Sequence, residues 1–312
     1  MLTLVIPVYR NEESISDLVA AVGDLSRALG GDFEAVFVDD GSPDGSRALL
    51  QERLPRAGFR SQLVVLSRNF GSFAAVRAGL AAGKGEQFAV MAADLQEPPD
   101  LALRFHEELS SGRCDVVVGT RDGRGDSPGA RLASAIFWFL YRRVVQREIP
   151  PGGVDVFGCT RRFRDEILSL RERNSTLVGL IFWLGFRRRE IGYVRRPRKH
   201  GTSAWSFRRK FRYLLDSTFA FSDLPIRLLS LAGILGIAGS LLLGVVVLAA
   251  KLLGRVSVPG YTATVLTVMF FGGLNSFGIG ILGEYLWRTF ENTKGRPGHV
   301  AVRVEEYSGG ER

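Results

Sequence analysis

Apolar and polar positions follow two rhythms through the first 120 residues. Runs rich in β-branched and other apolar residues at 3–8, 33–39, 62–67, 87–92 and 115–119 predict strands. Amphipathic stretches at 14–29, about 46–54, 73–82 and 100–109 predict the helices between them. Strands that alternate with helices make βαβ units, so the expected fold class is α/β with a mostly parallel sheet. Ligands of such sheets sit beyond the carboxyl ends of the strands. Here those ends carry Tyr9, Arg10, Asn11 and Glu12, then Asp39, Asp40 and Gly41, then Arg68 and Asn69, then Asp94 and Gln96. After Gly119 the rhythm weakens. A Gly-rich charged loop at 121–129 is either a mobile lid or acceptor-side segment, or an exposed connection, and apolar runs follow at 132–145 and 177–186.

The pattern changes again at 228–250 and 256–283, which contain no charged residue. Each run exceeds the ~20 residues needed to cross a ~30 Å hydrocarbon core, whereas a soluble helix of that length carries a polar face. Two transmembrane helices are expected. Residues 205–221 alternate aromatic and basic side chains ahead of Pro225 and predict an amphipathic helix lying on the membrane. The expected organisation is a catalytic domain at 1–204, a juxtamembrane segment at 205–224 and spans at 225–253 and 259–286. A short extracytoplasmic loop at 254–258 joins the spans, and an exposed tail occupies 287–312.

Charge sets the orientation. Residues 187–212 hold 11 Lys or Arg against one acid, Glu190, while the loop between the spans offers only Lys251 and Arg255. Both termini are therefore expected in the cytoplasm. The formal charge of +9 is concentrated just before a span, which points to anionic lipid head groups and away from nucleic acid. The first ten residues are too short an apolar run, without a basic start, to be a signal peptide. Ala232, Gly236, Ser240 and Gly244, and then Gly272, Ser276 and Gly280, recur every fourth residue. Such spacing packs the spans together or pairs subunits into a homo-oligomer. Cys114 and Cys159 form no CxxC pair, and His106, His200 and His299 are isolated, so neither a disulfide nor a metal-ligand set is expected of them.

The strand-end acids carry the candidate chemistry. Asp39, Asp40 and Asp94 supply oxygens suited to a divalent cation such as Mg²⁺ or Mn²⁺, which would offset the charge of a nucleoside diphosphate. The bland alternative for Asp40-Gly41-Ser42 is a capped turn.

Five segments, in order, narrow these readings: Pro7-Val-Tyr-Arg-Asn-Glu12, Val38-Asp-Asp-Gly-Ser-Pro-Asp-Gly-Ser46, Leu66-Ser-Arg-Asn-Phe-Gly71, Asp94-Leu-Gln-Glu-Pro-Pro99 and Arg195-Arg-Pro-Arg-Lys-His-Gly-Thr-Ser-Ala-Trp205. Over nearly the whole chain the sequence resembles family 2 glycosyltransferases. More narrowly it resembles the polyprenyl-phosphate group, which contains dolichol-phosphate mannose synthase and bacterial undecaprenyl-phosphate sugar transferases. The resemblance implies a GT-A (Rossmann-like) fold. It places a nucleotide-sugar donor against Pro7, Tyr9, Glu12, Asp39 and Asp40, with Arg68 and Asn69 beside it, and a cation at Asp94 and Gln96. Asp155 corresponds to an acid near the reacting centre, where it orients the acceptor, acts as base, or merely caps a turn. Arg195 and Arg198 match a basic motif that grips the lipid phosphate, with head-group contact as the alternative. Ser203 and Trp205 would fix that loop over the site and against the membrane.

One departure stands out. The family's metal motif is commonly Asp-x-Asp, and its first position here is Ala92. Gln96 or Glu97 helps hold the cation, or the diphosphate supplies more of its shell. The implied activity is inverting transfer of a hexose-type sugar, expected to be UDP-linked in the donor, to undecaprenyl phosphate or a similar polyprenyl phosphate. The setting is the cytoplasmic leaflet of a bacterial plasma (inner) membrane, for cell-envelope glycan modification. A processive polysaccharide synthase would carry Gln-x-x-Arg-Trp, which is absent. A non-catalytic scaffold would follow if Ala92 had cost the metal.

Overall fold

The computed structural model describes residues 1–121, 139, 141–143, 146, 148–150, 153–170, 172, 175–196, 207–253 and 260–309. The expected strands and helices are present to within a few residues: β1 (Leu2–Val8), α1 (Ile15–Ala28), β2 (Phe33–Asp39), α2 (Ser46–Arg53), β3 (Ser61–Leu66), α3 (Ser72–Ala82), β4 (Gln87–Val90), α4 (Asp100–Ser110) and β5 (Val116–Arg121). Period-2 patterning explains the layers. In β1, Leu2, Leu4, Ile6 and Val8 face the core shared with α1, α2 and α4, while Val5 faces the opposite core with Val76 and Leu80 of α3. A sheet covered on both faces needs strands that are apolar throughout, and every residue of β2 is buried.

The less regular second half adds three strands. β6 (Phe157–Thr160), β7 (Arg188–Tyr193) and β8 (Ala301–Tyr307) complete an eight-stranded sheet of order β7-β5-β6-β4-β1-β2-β3-β8. Pairs β1·β2, β1·β4, β2·β3 and β5·β7 are parallel; β4·β6, β5·β6 and β3·β8 are antiparallel. Helices α5 (Arg161–Ser169) and α6 (Leu177–Trp183) join α3 in covering the second face.

β8 revises the expected tail. Its residues are largely exposed, as anticipated, but they form a strand paired antiparallel to β3. Lys84 bridges to Glu306 at 2.8 Å, Gln51 donates to Glu305 at 2.7 Å, and the Ser67 N–H donates to the Val300 carbonyl at 2.9 Å. The catalytic sheet therefore extends beyond 1–204 and takes its last strand from the far side of the hydrophobic helices. Alternating Val302, Val304 and Glu306 with Arg303 and Glu305 is an edge-strand pattern, which a short, charged segment conceals.

Helices α7 (Phe207–Phe221), α8 (Leu224–Leu252) and α9 (Tyr261–Thr293) follow the sheet. Among the described residues one stretch, Leu224–Val246, is long and apolar enough to cross a membrane by length and composition. The second expected span is not confirmed by that criterion. Both helices nevertheless present exposed apolar surface, including Ile234, Leu241, Phe270 and Ile279. They lie antiparallel: Gly236 lies against Phe271, and Leu229 against Gly278. Of the small-residue series, Gly236 packs on the other helix, whereas Gly244, Gly272 and Gly280 face open space. The 121–129 loop beyond Arg121 and most of the 132–145 run lie outside the described residues.

Candidate active site

The carboxyl ends of β1, β2 and β3 are laced into one platform. The Arg10 N–H donates to Ser42 Oγ at 2.7 Å, the Asn11 N–H to Ser46 Oγ at 3.0 Å, and the Gly45 N–H to Glu12 Oε2 at 2.8 Å. Asp39 and Asp40 are each 2 % exposed. Asp39 Oδ1 accepts from the Ser42 N–H at 3.0 Å, and the two oxygens of Asp40 accept from the Phe70 and Gly71 N–H groups at 2.7 and 2.9 Å. Burial raises both carboxyls above the usual carboxylate range. The Asp40-Gly41-Ser42 turn is capped from Asp39, while Asp40 braces the β2 loop against the β3 loop. Pro7, Tyr9, Glu12, Asp39, Asp40, Arg68 and Asn69, the expected donor residues, come together around it. Arg68 stacks over Phe70 at 4.1 Å and donates to the Asn69 carbonyl at 3.1 Å.

Gly41 is the residue this platform cannot replace. It has φ +63°, and a Cβ there would stand 2.6 Å from the Arg68 carbonyl carbon and 2.8 Å from the Asn69 nitrogen. Backbone cannot yield as a side-chain tip can. Gly41→Ala is expected to strain the platform by about 1–3 kcal/mol, read as a lowered unfolding free energy in denaturant melts.

The second half of the site is built by β4 to β7. Asp94 follows β4, and Leu95 adopts φ +54°, a left-handed conformation uncommon for a non-glycine residue and found at functional turns. That turn brings the Gln96 N–H back to Asp94 Oδ1 at 3.2 Å. Gln96 is also gripped from the segment after β7: Arg195 donates to its side-chain oxygen, and the Arg196 N–H to its carbonyl at 2.8 Å. Arg195 therefore reaches the Asp94 loop.

Asp155 arrives by register. Arg121 and Tyr193 are partners across β5 and β7, and the chain entering antiparallel β6 brings Asp155 to both. Arg121 holds its two oxygens in a bidentate ion pair, and the Tyr193 hydroxyl donates to Oδ2 at 2.8 Å. Burial, reinforced by Asp155 and Glu97, pushes the Tyr193 phenol up, so it remains a donor. β6, which Asp155 precedes, pairs antiparallel with β4 through Gln87 with Thr160 and Ala89 with Gly158. Among the described residues, the Asp155 carboxylate is held by Arg121 and Tyr193.

Glu97 is the site's most perturbed carboxyl. It is 2 % exposed, and its Oε2 has no hydrogen-bond partner among the described residues. Burial first, then the charges of Asp94 and Asp155, raise it to about 7. Arg121 and Tyr193 were not singled out from the sequence. Arg121 ends a strand that was recognised, but Tyr193 lies in one hidden behind Arg187, Arg188 and Arg189. Arg198, Ser203 and Trp205 lie outside the described residues.

The donor set fits a hard divalent cation in a limited way. Among the described residues no group of three or more His, Cys, Asp or Glu is placed to hold a metal unaided. A half-buried Asp94 beside an orphaned carboxylate oxygen of Glu97 suits an ion that takes one or two carboxylates and completes its shell with water and substrate phosphate. Gln96, expected as a ligand, has its side-chain oxygen engaged by Arg195.

Comparison with known proteins identifies this arrangement. The Glycosyl transferase family 2 domain matches residues 3–170. An undecaprenyl-phosphate 4-deoxy-4-formamido-L-arabinose transferase of Pseudomonas paraeruginosa is 34 % identical over 308 residues, covering 97 % of this chain and 90 % of that protein. The putative glycosyltransferase CsbB of Bacillus subtilis is 31 % identical over 300 residues, covering 96 % and 91 %. A crystal structure of Mycobacterium tuberculosis glucosyl-3-phosphoglycerate synthase with Mn²⁺ and UDP-glucose aligns at TM-score 0.44 and 19 % identity over 64 % of this chain and 72 % of that one, too distant to bear on ligands. On the domain match and the full-length relatives, the chain belongs to glycosyl transferase family 2 and is a glycosyltransferase with a GT-A-like α/β fold.

Proposed function

We propose that the protein transfers a sugar from a nucleoside-diphosphate donor to a polyprenyl phosphate such as undecaprenyl phosphate. The observation that carries this reading is Arg195, a cationic side chain from the basic segment preceding the hydrophobic helices, which meets the Asp94 loop. It would bring a group suited to gripping phosphate to the Asp94 loop, the proposed site of the leaving diphosphate. The relatives that share nearly the full length include proteins named as undecaprenyl-phosphate sugar transferases, which supports a lipid phosphate acceptor.

The chemistry asks little of a general base. A phosphate monoester has its second pKa near ~6, so the acceptor is already ionised near neutrality. A phosphate oxygen forms a bond to the anomeric carbon while the bond from that carbon to the diphosphate oxygen breaks, and the nucleoside diphosphate leaves with the electron pair. No proton need move, and in-line attack inverts the anomeric centre. Positioning and charge then dominate. Asp155, with both oxygens held by Arg121 and one also by Tyr193, orients the acceptor side as a fixed wall. Arg195, released from Gln96, has the fork geometry to hold phosphate; Arg198, Ser203 and Trp205 would extend that grip toward the membrane. A Mg²⁺ or Mn²⁺ ion held by Asp94, with Glu97 close by, would supply neutralisation of the leaving diphosphate.

The proposed setting is a two-span hairpin. Helix α8 has 29 residues and α9 has 33, about 44 and 50 Å at ~1.5 Å per residue. Their antiparallel packing would return the chain to the side it left, which accounts for β8 rejoining the sheet. Both termini and the catalytic domain would then be cytoplasmic at a bacterial plasma membrane. A hexose-type, UDP-linked donor remains the working choice, although the Pseudomonas paraeruginosa relative is named for a five-carbon sugar. The test is a panel of nucleotide sugars with cation and polyprenyl phosphate, with anomeric configuration read by NMR. Inverted glycolipid from one donor class is expected; a retained configuration would overturn the in-line displacement.

A further inference from the structure

The junction of α7 and α9 contains an arginine that the transfer chemistry does not use. Arg288 has a side chain only 11 % exposed, although its neighbours Leu286 and Trp287 are exposed. Its Nη2 donates to Asp216 Oδ1 of α7 at 2.8 Å, its Nε to Glu284 Oε1 at 2.8 Å, and its guanidinium lies 5.1 Å over the Phe219 ring. Phe219 meets Tyr285 edge-on, with centroids 5.3 Å apart. One charged fork thus fastens the end of α9 to two turns of α7.

Helix α7 is in turn anchored in the catalytic core. Ser217 is fully buried and its Oγ accepts from the Tyr141 hydroxyl at 3.0 Å. Phe221 fills the space beside Gly179 of α6, where a Cβ would come within 2.3 Å of its ring. Tyr141 and α6 belong to the same core as Phe88, Val118 and Phe157 of β4, β5 and β6. Those strands carry Asp94, Arg121 and Asp155 at their ends. A packed path therefore runs from the hydrophobic helices to the acceptor side of the site.

We propose that Arg288 is a positioning residue: through Asp216 and Phe219 it fixes the height and tilt of the acceptor side of the site relative to the lipid surface. The proposal rests on the membrane-acceptor reading above. A phosphate tethered in a bilayer cannot move to meet a displaced site, whereas a short soluble acceptor can. Misplacement of ~1 Å is enough to cost about 100-fold in rate.

The test uses the full-length protein in lipid vesicles, with Arg288→Met, which keeps the apolar stem, and Asp216→Asn, which breaks the same pair from α7. Each is assayed with long-chain polyprenyl phosphate embedded in the vesicles and with a water-soluble short-chain prenyl phosphate. Both variants are expected to lose about 10- to 100-fold in kcat/KM with the embedded acceptor and to stay within about twofold of wild type with the soluble one. An equal fall with both acceptors, which a merely structural role would give, or no fall with either, overturns the proposal. If wild type glycosylates neither acceptor, the functional reading has failed and the proposal falls with it.

Discussion

Asp94→Ala is expected to lower kcat/KM by about 1000-fold, equivalent to about 4 kcal/mol of transition-state stabilisation. The magnitude follows from what surrounds the residue. Ala92 contributes no carboxylate, Gln96 is held by Arg195, and both oxygens of Asp155 are committed to Arg121. Glu97 is buried and its carboxyl is pushed up to about 7, so near neutrality it is ionised in only about half of the molecules. On the proposed reading, Asp94 is left as the carboxylate that would meet the donor diphosphate through a cation. The side chain is only partly buried, so its removal should leave the fold intact. Initial rates with saturating cation measure the loss, and thermal unfolding checks the fold. Activity within tenfold of wild type in a well-folded Asp94→Ala protein would show that the charge is managed elsewhere.

Glu97→Gln carries the second large effect, on stability. A carboxyl raised from 4.5 to about 7 binds its proton more tightly in the folded protein than in the unfolded chain. The sign follows: between those values the folded state holds the proton that the unfolded state has lost, so stability falls as pH rises through that window and levels off above it. Across the whole window the loss is about 3 kcal/mol. Glutamine mimics the protonated form and escapes the penalty. In chelator, to remove any cation, the variant should match wild type near pH 4.5 and exceed it by about 3 kcal/mol at pH 8, seen as a melting-temperature gap that widens with pH. A gap independent of pH would mean that Glu97 is not a strained carboxyl.

The half of the site expected to hold the donor was legible because its residues are local. Tyr9, Asp39, Asp40, Arg68 and Asn69 each end or follow a buried apolar strand, so strand prediction alone puts them at one edge of a parallel sheet. The acceptor half depends on pairing between distant segments. Asp155 reaches Arg121 and Tyr193 only because β6 runs antiparallel between β4 and β5 while β7 pairs parallel to β5, and no local pattern encodes that register. β8 is the extreme case: its partner β3 lies more than two hundred residues earlier, and its exposed, charged composition resembles a tail. The pH-sensitive environment of Glu97 was hidden for the same reason, since it comes from the burial and neighbouring charges that only the assembled site supplies.

On the proposed reading, one sugar passes directly to a lipid phosphate. Mass spectrometry of the lipid extract, after incubating the protein in vesicles with undecaprenyl phosphate, divalent cation and the donor panel, tests it most directly. The predicted species is a polyprenyl phosphodiester carrying a single sugar, with one nucleoside diphosphate released for each lipid formed. Nucleoside diphosphate released without glycolipid, or a lipid or polymer carrying several sugars, would contradict it.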